Sequence, residues 1–226
     1  MRETILVTGS SNGIGEAIAK VFADNYYDII IHGRNEVDLK RVYKDISGKG
    51  VNCYSINGDL REDKTLNNLY DIAKEKDISI LVNNAGALCP AVTFDKLDNN
   101  DLEDVIRVNF LVPIKLTRMI YPLFLNKSDG TIINMNSIIG MEVKTGKPVF
   151  SGARWGLRGF TESFRLEAKE RGIKVMGIYP TRVKTKPEFE YGMDPNETAR
   201  KIYDAYKNSI DDLILDGRPE QYRPKK

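Results

Sequence analysis

TILVTGSSNGIG, residues 4–15, passes without a break from a short β-branched run into a segment holding three glycines. A short, continuous apolar run of this kind reads as a strand covered on both faces. Gly9, Gly13 and Gly15 then fall between that strand and a helix expected to begin near Ile14. Glycine suits a chain that must turn tightly and let a pyrophosphate approach the free N–H groups at a helix N-terminus. The spacing G-x-x-x-G-x-G departs from the plain dinucleotide fingerprint G-x-G-x-x-G. The strand before it and the helix after it still favour a phosphate-binding turn over a ligand-free one.

Outward from this stretch, strand-like runs recur at 28–32, 51–56, 78–83, 131–136, 173–179 and 212–216. Helical patterns fill the intervals at 13–25, 35–48, 62–76, 99–126, 149–171 and 194–209. Such alternation implies right-handed parallel crossovers, hence an α/β, Rossmann-type doubly wound parallel sheet of about seven strands with helices on both faces. Asn99 and Asn100 before the acidic turn DLED, and Asp194 before Pro195, mark helix starts. Pro113 lies inside the long fourth helix and is expected to kink or divide it. With no repeat, low-complexity tract or linker, residues 1–226 read as a single domain.

Composition narrows the function classes. The 34 basic and 32 acidic residues leave a net charge of +2, and only the tail RPEQYRPKK is basic, so no nucleic-acid partner is expected. Cys53 and Cys89 form neither a disulfide framework nor a metal-ligand spacing. His32, the single histidine, excludes a multi-histidine metal site and argues against a serine–histidine triad. The chain opens directly on a strand, and no run reads as long enough to span a membrane. The expectation is a cytoplasmic protein with no membrane partner.

Taken in order along the chain, the motifs resemble those of the short-chain dehydrogenase/reductase family. TGSSNGIG (8–15) is similar to its cofactor loop, which implies cofactor contacts from Thr8, Gly9, Ser11, Asn12, Gly13, Ile14 and Gly15. GDL (58–60) implies an adenine contact at Asp59 and Leu60. NNAG (83–86) implies a sheet-stabilising and cofactor-contacting role for Asn83, Ala85 and Gly86. RVNF (107–110) and NMNSIIG (134–140) place Asn109 and Ser137 at the family's catalytic asparagine and serine. YPTRVKT (179–185) resembles the segment covering the nicotinamide, with Pro180, Val183 and Thr185 matching and Thr181 standing where the family has glycine.

The second strand ends at Gly33, with Arg34 next. An acidic residue there would hold a ribose 2′-OH and select NAD(H). A guanidinium suits a 2′-phosphate, so NADP(H) is favoured over NAD(H), although SSNG offers no second basic residue.

The resemblance implies hydride transfer between the nicotinamide and a small carbonyl or alcohol. In the family a tyrosine exchanges the proton, assisted by a lysine four residues later on the same helix face. Here PVFSGARWGL (148–157) puts Phe150 and Arg154 at those positions. Phenylalanine has no proton to exchange, and arginine is not a lysine equivalent, though it can still hold the cofactor ribose. Two readings stay open. One is an oxidoreductase with an altered proton donor built on Ser137, Asn109 and Arg154. The other is a cofactor-binding pseudoenzyme, a sensor or scaffold. Tyr179 and His32 read as packed residues, Trp155, Phe160 and Phe164 as core or subunit interface, Tyr191 as an exposed residue, and the loop 186–197 as a small lid. The resemblance further implies a homodimer or homotetramer assembled through helices 99–126 and 149–171.

Overall fold

Alternate residues of each strand enter opposite cores. Ile5, Val7, Ile29, Ile31, Val82 and Ile178 point to one side, whereas Leu6, Ile30, Leu81, Ile132 and Val175 point to the other. Strands apolar on both faces need helices on both faces. The computed structural model describes residues 2–185, 189 and 191–222. Its first half runs β1 (Thr4–Val7), α1 (Gly13–Asp24), β2 (Asp28–Gly33), α2 (Glu36–Ser47), β3 (Cys53–Asn57), α3 (Asp63–Glu75) and β4 (Ile80–Asn83). The second half runs α4 (Asn99–Ile106), α5 (Val112–Leu125), β5 (Gly130–Met135), α6 (Pro148–Lys169), β6 (Ile173–Pro180), α7 (Pro195–Lys207) and β7 (Asp212–Leu215).

All seven strands are parallel, in the order β3-β2-β1-β4-β5-β6-β7. The order turns back between β1 and β4, and that reversal opens a crevice at the strands' C-terminal ends. A buried polar ladder crosses the sheet beside it. Asn83 Nδ2 donates to Asn134 Oδ1 at 2.9 Å, Asn134 Nδ2 to Thr161 Oγ1 at 3.0 Å, and Thr161 Oγ1 to Leu157 O at 2.7 Å. It joins β4, β5 and α6 with every link hydrogen-bonded, as buried polar groups require.

Local chemistry revises three expectations. The long helix is divided as Pro113 implied, since Pro113 stands in the first turn of α5. The junction itself is a π-helical turn, Arg107–Leu111. The cap of α4 is Asp98, whose side chain accepts from Asn100 N at 2.8 Å; Asn99 and Asn100 are already helical. The Asp194 cap holds, accepting from Asn196 N and Glu197 N at 2.9 Å each. Contrary to expectation, the stretch Asn99–Leu125 is long and apolar enough to cross a membrane. Its apolar residues have another use, because Leu116, Ile120 and Phe124 are fully buried in the core with β4 and β5. The expected lid and basic tail lie partly outside the described residues.

Candidate active site

The crevice holds a cleft of about 490 Å³ that runs from Arg34, Asn35 and Asp59 past the glycine loop to Phe150 and Arg154. At its floor, Gly9 has φ +63°, and a Cβ there would lie 2.8 Å from Ala85 Cα. A Cβ on Gly15 would lie 2.3 Å from both Gly9 O and Asn84 Nδ2. Only glycine lets the loop lie this close to the turn after β4. Asn12, the cap of α1, makes no side-chain cap hydrogen bond. The first N–H groups of α1 thus keep their capacity for an anion, and the loop fits a pyrophosphate.

His32, expected as a packed residue, turns out to tie this loop together. Gly9 N–H donates to His32 Nδ1 at 3.2 Å, so the ring proton resides on Nε2, 3.1 Å from Gly58 O. Burial pushes its pKa down from 6.5 to about 4, so His32 is neutral at ordinary pH.

At the opposite mouth, β2 ends at Gly33 and Arg34 lines the cleft with Asp59 and Leu60. The Arg34 guanidinium is largely exposed and 3.7 Å from Asp59 Oδ2. Asp59 belongs chiefly to Arg61, which donates Nε to Oδ1 at 3.0 Å, Nη2 to Oδ2 at 2.7 Å and its backbone N to Oδ1 at 2.9 Å. That grip holds the carboxyl down to about 2. Neither Arg61 nor His32 stood out in the sequence as a site residue: His32 acts through hydrogen bonds between distant loops, and Arg61 through a side chain folded back onto Asp59 two residues before it.

Behind the loop, Thr8 Oγ1 accepts from Asn84 N at 3.0 Å and Ala85 N at 3.1 Å. Asn84 Nδ2 donates to Thr8 O at 2.9 Å and Gly9 O at 3.0 Å. Asn84 also lines the cleft, whereas Asn83 is buried in the polar ladder. Of the NNAG motif, then, Asn84, Ala85 and Gly86 face the cleft and Asn83 supports them.

The π-helical turn carries Asn109 to the end of the cleft, fully buried. Its Oδ1 accepts from Ala87 N at 3.2 Å and Arg154 Nη2 at 2.9 Å, and its Nδ2 donates to Ala87 O and Val105 O. Arg154 Nη1 donates to Met135 O at 2.7 Å, while its Nε has no partner among the described residues. Among the described residues no carboxylate pairs with this guanidinium, and burial lowers its pKa to about 10. The Phe150 ring lies 5.1 Å from it, within cation–π range. Any Cβ on Gly86 would come within 3.0 Å of Arg154 Nη2.

Ser137 sits where β5 ends, but its Oγ accepts from Ile139 N at 3.3 Å and caps the short turn Ile138–Gly140. Ser137 and Asn109 do not form part of the cleft wall. Beside them, Asn136 Nδ2 donates to Arg154 O at 3.0 Å and Asn136 Oδ1 accepts from Ser137 N at 2.8 Å, pinning α6 to the end of β5. On the far side Thr185 lines the cleft against Gly13, but Pro180 and Val183 do not. Thr181, at the family's glycine position, does not line the cleft. Its Oγ1 accepts from Gly217 N at 2.9 Å, turned toward the end of β7. Tyr179 is buried in β6 with its hydroxyl unpartnered among the described residues, and Tyr191 lies under the Arg182 guanidinium at 4.5 Å.

A parallel sheet that reverses order at a glycine-lined crevice, with a free helix N-terminus at its floor, defines a dinucleotide-binding α/β protein. The chain belongs to the short chain dehydrogenase family, whose pattern matches residues 3–193. It is 31% identical over 186 residues to Oxidoreductase UcpA of Salmonella typhimurium, covering 81% of this chain and 70% of that protein. It is 30% identical over 214 residues to the NADP-dependent 3-hydroxy acid dehydrogenase of Schizosaccharomyces pombe, covering 92% and 80%. A short-chain dehydrogenase from Sphingobium yanoikuyae, solved in complex with NADPH, shares the fold at a TM-score of 0.88 and 23% identity, covering 94% of this chain and 87% of that one.

Proposed function

We propose that the protein is an NADP(H)-binding oxidoreductase acting on a small carbonyl or alcohol, with Phe150 and Arg154 in place of the family's tyrosine and lysine. The observation that carries this reading is the single cleft joining Arg34 and the glycine loop to Arg154. When bound, the nicotinamide supplies or accepts the hydride. Arg34 would meet the 2′-phosphate, the N–H groups of Gly13 to Gly15 would meet the pyrophosphate, and Ala85 to Ala87 would border the ribose and ring. Arg154 stays charged at neutral pH and polarises the substrate oxygen in a dry site, where a fixed charge acts strongly. Water supplies the proton that Phe150 cannot. Asn109 is a positioning residue, holding Arg154 and the 85–87 loop, and Ser137 shapes the turn beside them.

A second reading, a cofactor-binding protein without turnover, is favoured by one observation. Among the described residues, Phe150 and Arg154 close their end of the cleft with no tyrosine, lysine or carboxylate beside them in the wall at that end. NADPH oxidation across a carbonyl panel separates the two when the natural protein is run beside a Phe150→Tyr/Arg154→Lys variant. Turnover by the natural protein supports the first reading. Turnover by the variant alone supports the second. Absence of NADPH binding by the natural protein defeats both.

The same reading extends to assembly and location. A homodimer or homotetramer formed through α5 and α6 is supported by Leu111, Trp155 and Leu166, large apolar side chains left exposed there. A reducing, cytoplasmic compartment suits two free thiols, Cys53 and Cys89.

A further inference from the structure

We propose that Arg61 is a specificity-determining residue for the phosphorylated cofactor: by holding Asp59 it leaves the Arg34 guanidinium available to a 2′-phosphate. The inference rests on the NADP(H) reading above and concerns residues that reading does not use.

Asp59 and Arg34 both line the adenosine end of the cleft. With Arg61 removed, Asp59 would have Arg34 as its near cation, and the nucleotide's own phosphate would compete with that carboxylate for one guanidinium. Arg61 resolves the competition. It covers both carboxylate oxygens at 2.7 and 3.0 Å and adds a backbone bond at 2.9 Å, whereas Arg34 stands off at 3.7 Å with 72% of its side chain exposed. The grip is itself braced from α4 and from the π-helical turn that follows it. Arg61 Nη1 donates to Asp104, and Arg107 Nη2 donates to Arg61 O at 2.6 Å. Deleting Arg61 leaves the Asp59 carboxylate with Arg34 as its near cation, at the end of the cleft where a dianion must arrive. A like charge beside a binding site rejects one ligand without penalising the neutral one. NAD(H) carries a hydroxyl at this point, which a freed Asp59 carboxylate could accept from.

The test is the ratio of the NADPH and NADH dissociation constants, read by fluorescence titration at about 0.05 M and 0.3 M salt. Arg61→Gln is expected to weaken NADPH about tenfold, the size of one charge-assisted contact, and NADH less than about twofold. The NADPH loss should shrink at the higher salt, where exposed charges are screened. Arg61→Lys should keep most of the natural ratio, and Asp59→Asn/Arg61→Gln should restore it, whatever each does to both affinities together. An Arg61→Gln variant that weakens NADPH and NADH equally shows a loop-holding role only and overturns the proposal. So does an unchanged ratio in Arg61→Gln when Arg34→Ala abolishes the preference, and in that case the Arg34 reading survives. If Arg34→Ala leaves the ratio untouched, the 2′-phosphate reading fails and this proposal falls with it.

Discussion

Arg154 Nη2 donates to Asn109 Oδ1 at 2.9 Å, across 45 residues of chain. The bond joins the helix that carries Phe150 to a π-helical turn, and it orients a buried cation that has no anionic partner among the described residues. Burying an unpaired charge is costly, and such a site persists where function maintains it. Arg154→Met should therefore leave the melting temperature equal to or above that of the natural protein while weakening cofactor binding at least about tenfold. Thermal unfolding and NADPH titration on the same samples check both halves, and a marked loss of stability would count against an uncompensated charge.

Asn109 presents the opposite case. Its amide serves Ala87, Val105 and Arg154 with both ends satisfied. Asn109→Leu leaves several buried groups without partners, each costing about 1–3 kcal/mol. A total loss of about 3 kcal/mol or more in urea unfolding is expected, with cofactor binding failing alongside.

At Gly9 the backbone sits at φ +63° and Ala85 Cα stands 2.8 Å from where a Cβ would be. Gly9→Ala should lower stability by about 1–3 kcal/mol through backbone strain. It should also abolish binding of NADPH and NADH together, since the pyrophosphate turn is common to both. Selective loss of one would contradict the shared role of this turn.

His32 sets a pH dependence. Burial lowers its pKa to about 4 in the folded chain from an ordinary 6.5. The unfolded chain therefore takes up a proton that the folded chain refuses. Stability contributed by the neutral ring is fully present above pH 6.5 and declines as pH falls toward 4, by about 3 kcal/mol in total. Comparing unfolding free energies at pH 7 and pH 4.5 should give a steeper decline for the natural protein than for His32→Gln. Parallel slopes would exclude His32 as the source.

Trp155, the single tryptophan, is partly exposed on α6 with Arg158 5.7 Å from its ring. If α5 and α6 form the subunit contact, its emission should shift to the blue as concentration rises through the association range. Leu166→Glu should return the red-shifted spectrum and the smaller hydrodynamic radius of a monomer.

Much of this architecture was legible in local pattern. The glycine loop, the strand alternation and Pro113 each carry their structural meaning within a few residues, so the sheet, the crevice and the divided helix could be anticipated. Strand ends were less legible. The third strand begins at Cys53 rather than residue 51, and the fourth at Ile80 rather than 78, because pairing with a neighbour sets those limits. The unanticipated parts of the site depend on which of several available partners a polar side chain takes, two residues away for Asp98 and Arg61 and on a remote segment for Thr181. Asp98 rather than Asn99 caps α4, Thr181 turns toward β7, and Arg61 takes Asp59 away from Arg34. Asn109 was legible by its motif, but its withdrawal from the cleft wall follows from the π-helical turn, which no local residue pattern marked.

The ladder from Asn83 through Asn134 to Thr161 spans 51 and then 27 residues of chain. Contacts so distant form only after most of the polypeptide is available, since loop closure must come first. A growing chain on the ribosome would thus complete its nucleotide loop early yet lack the wall that Phe150 and Arg154 supply until α6 has emerged and docked. Ligand present during synthesis could then secure only the nearly finished protein, so truncated products ending before Thr161 should gain no protection from it.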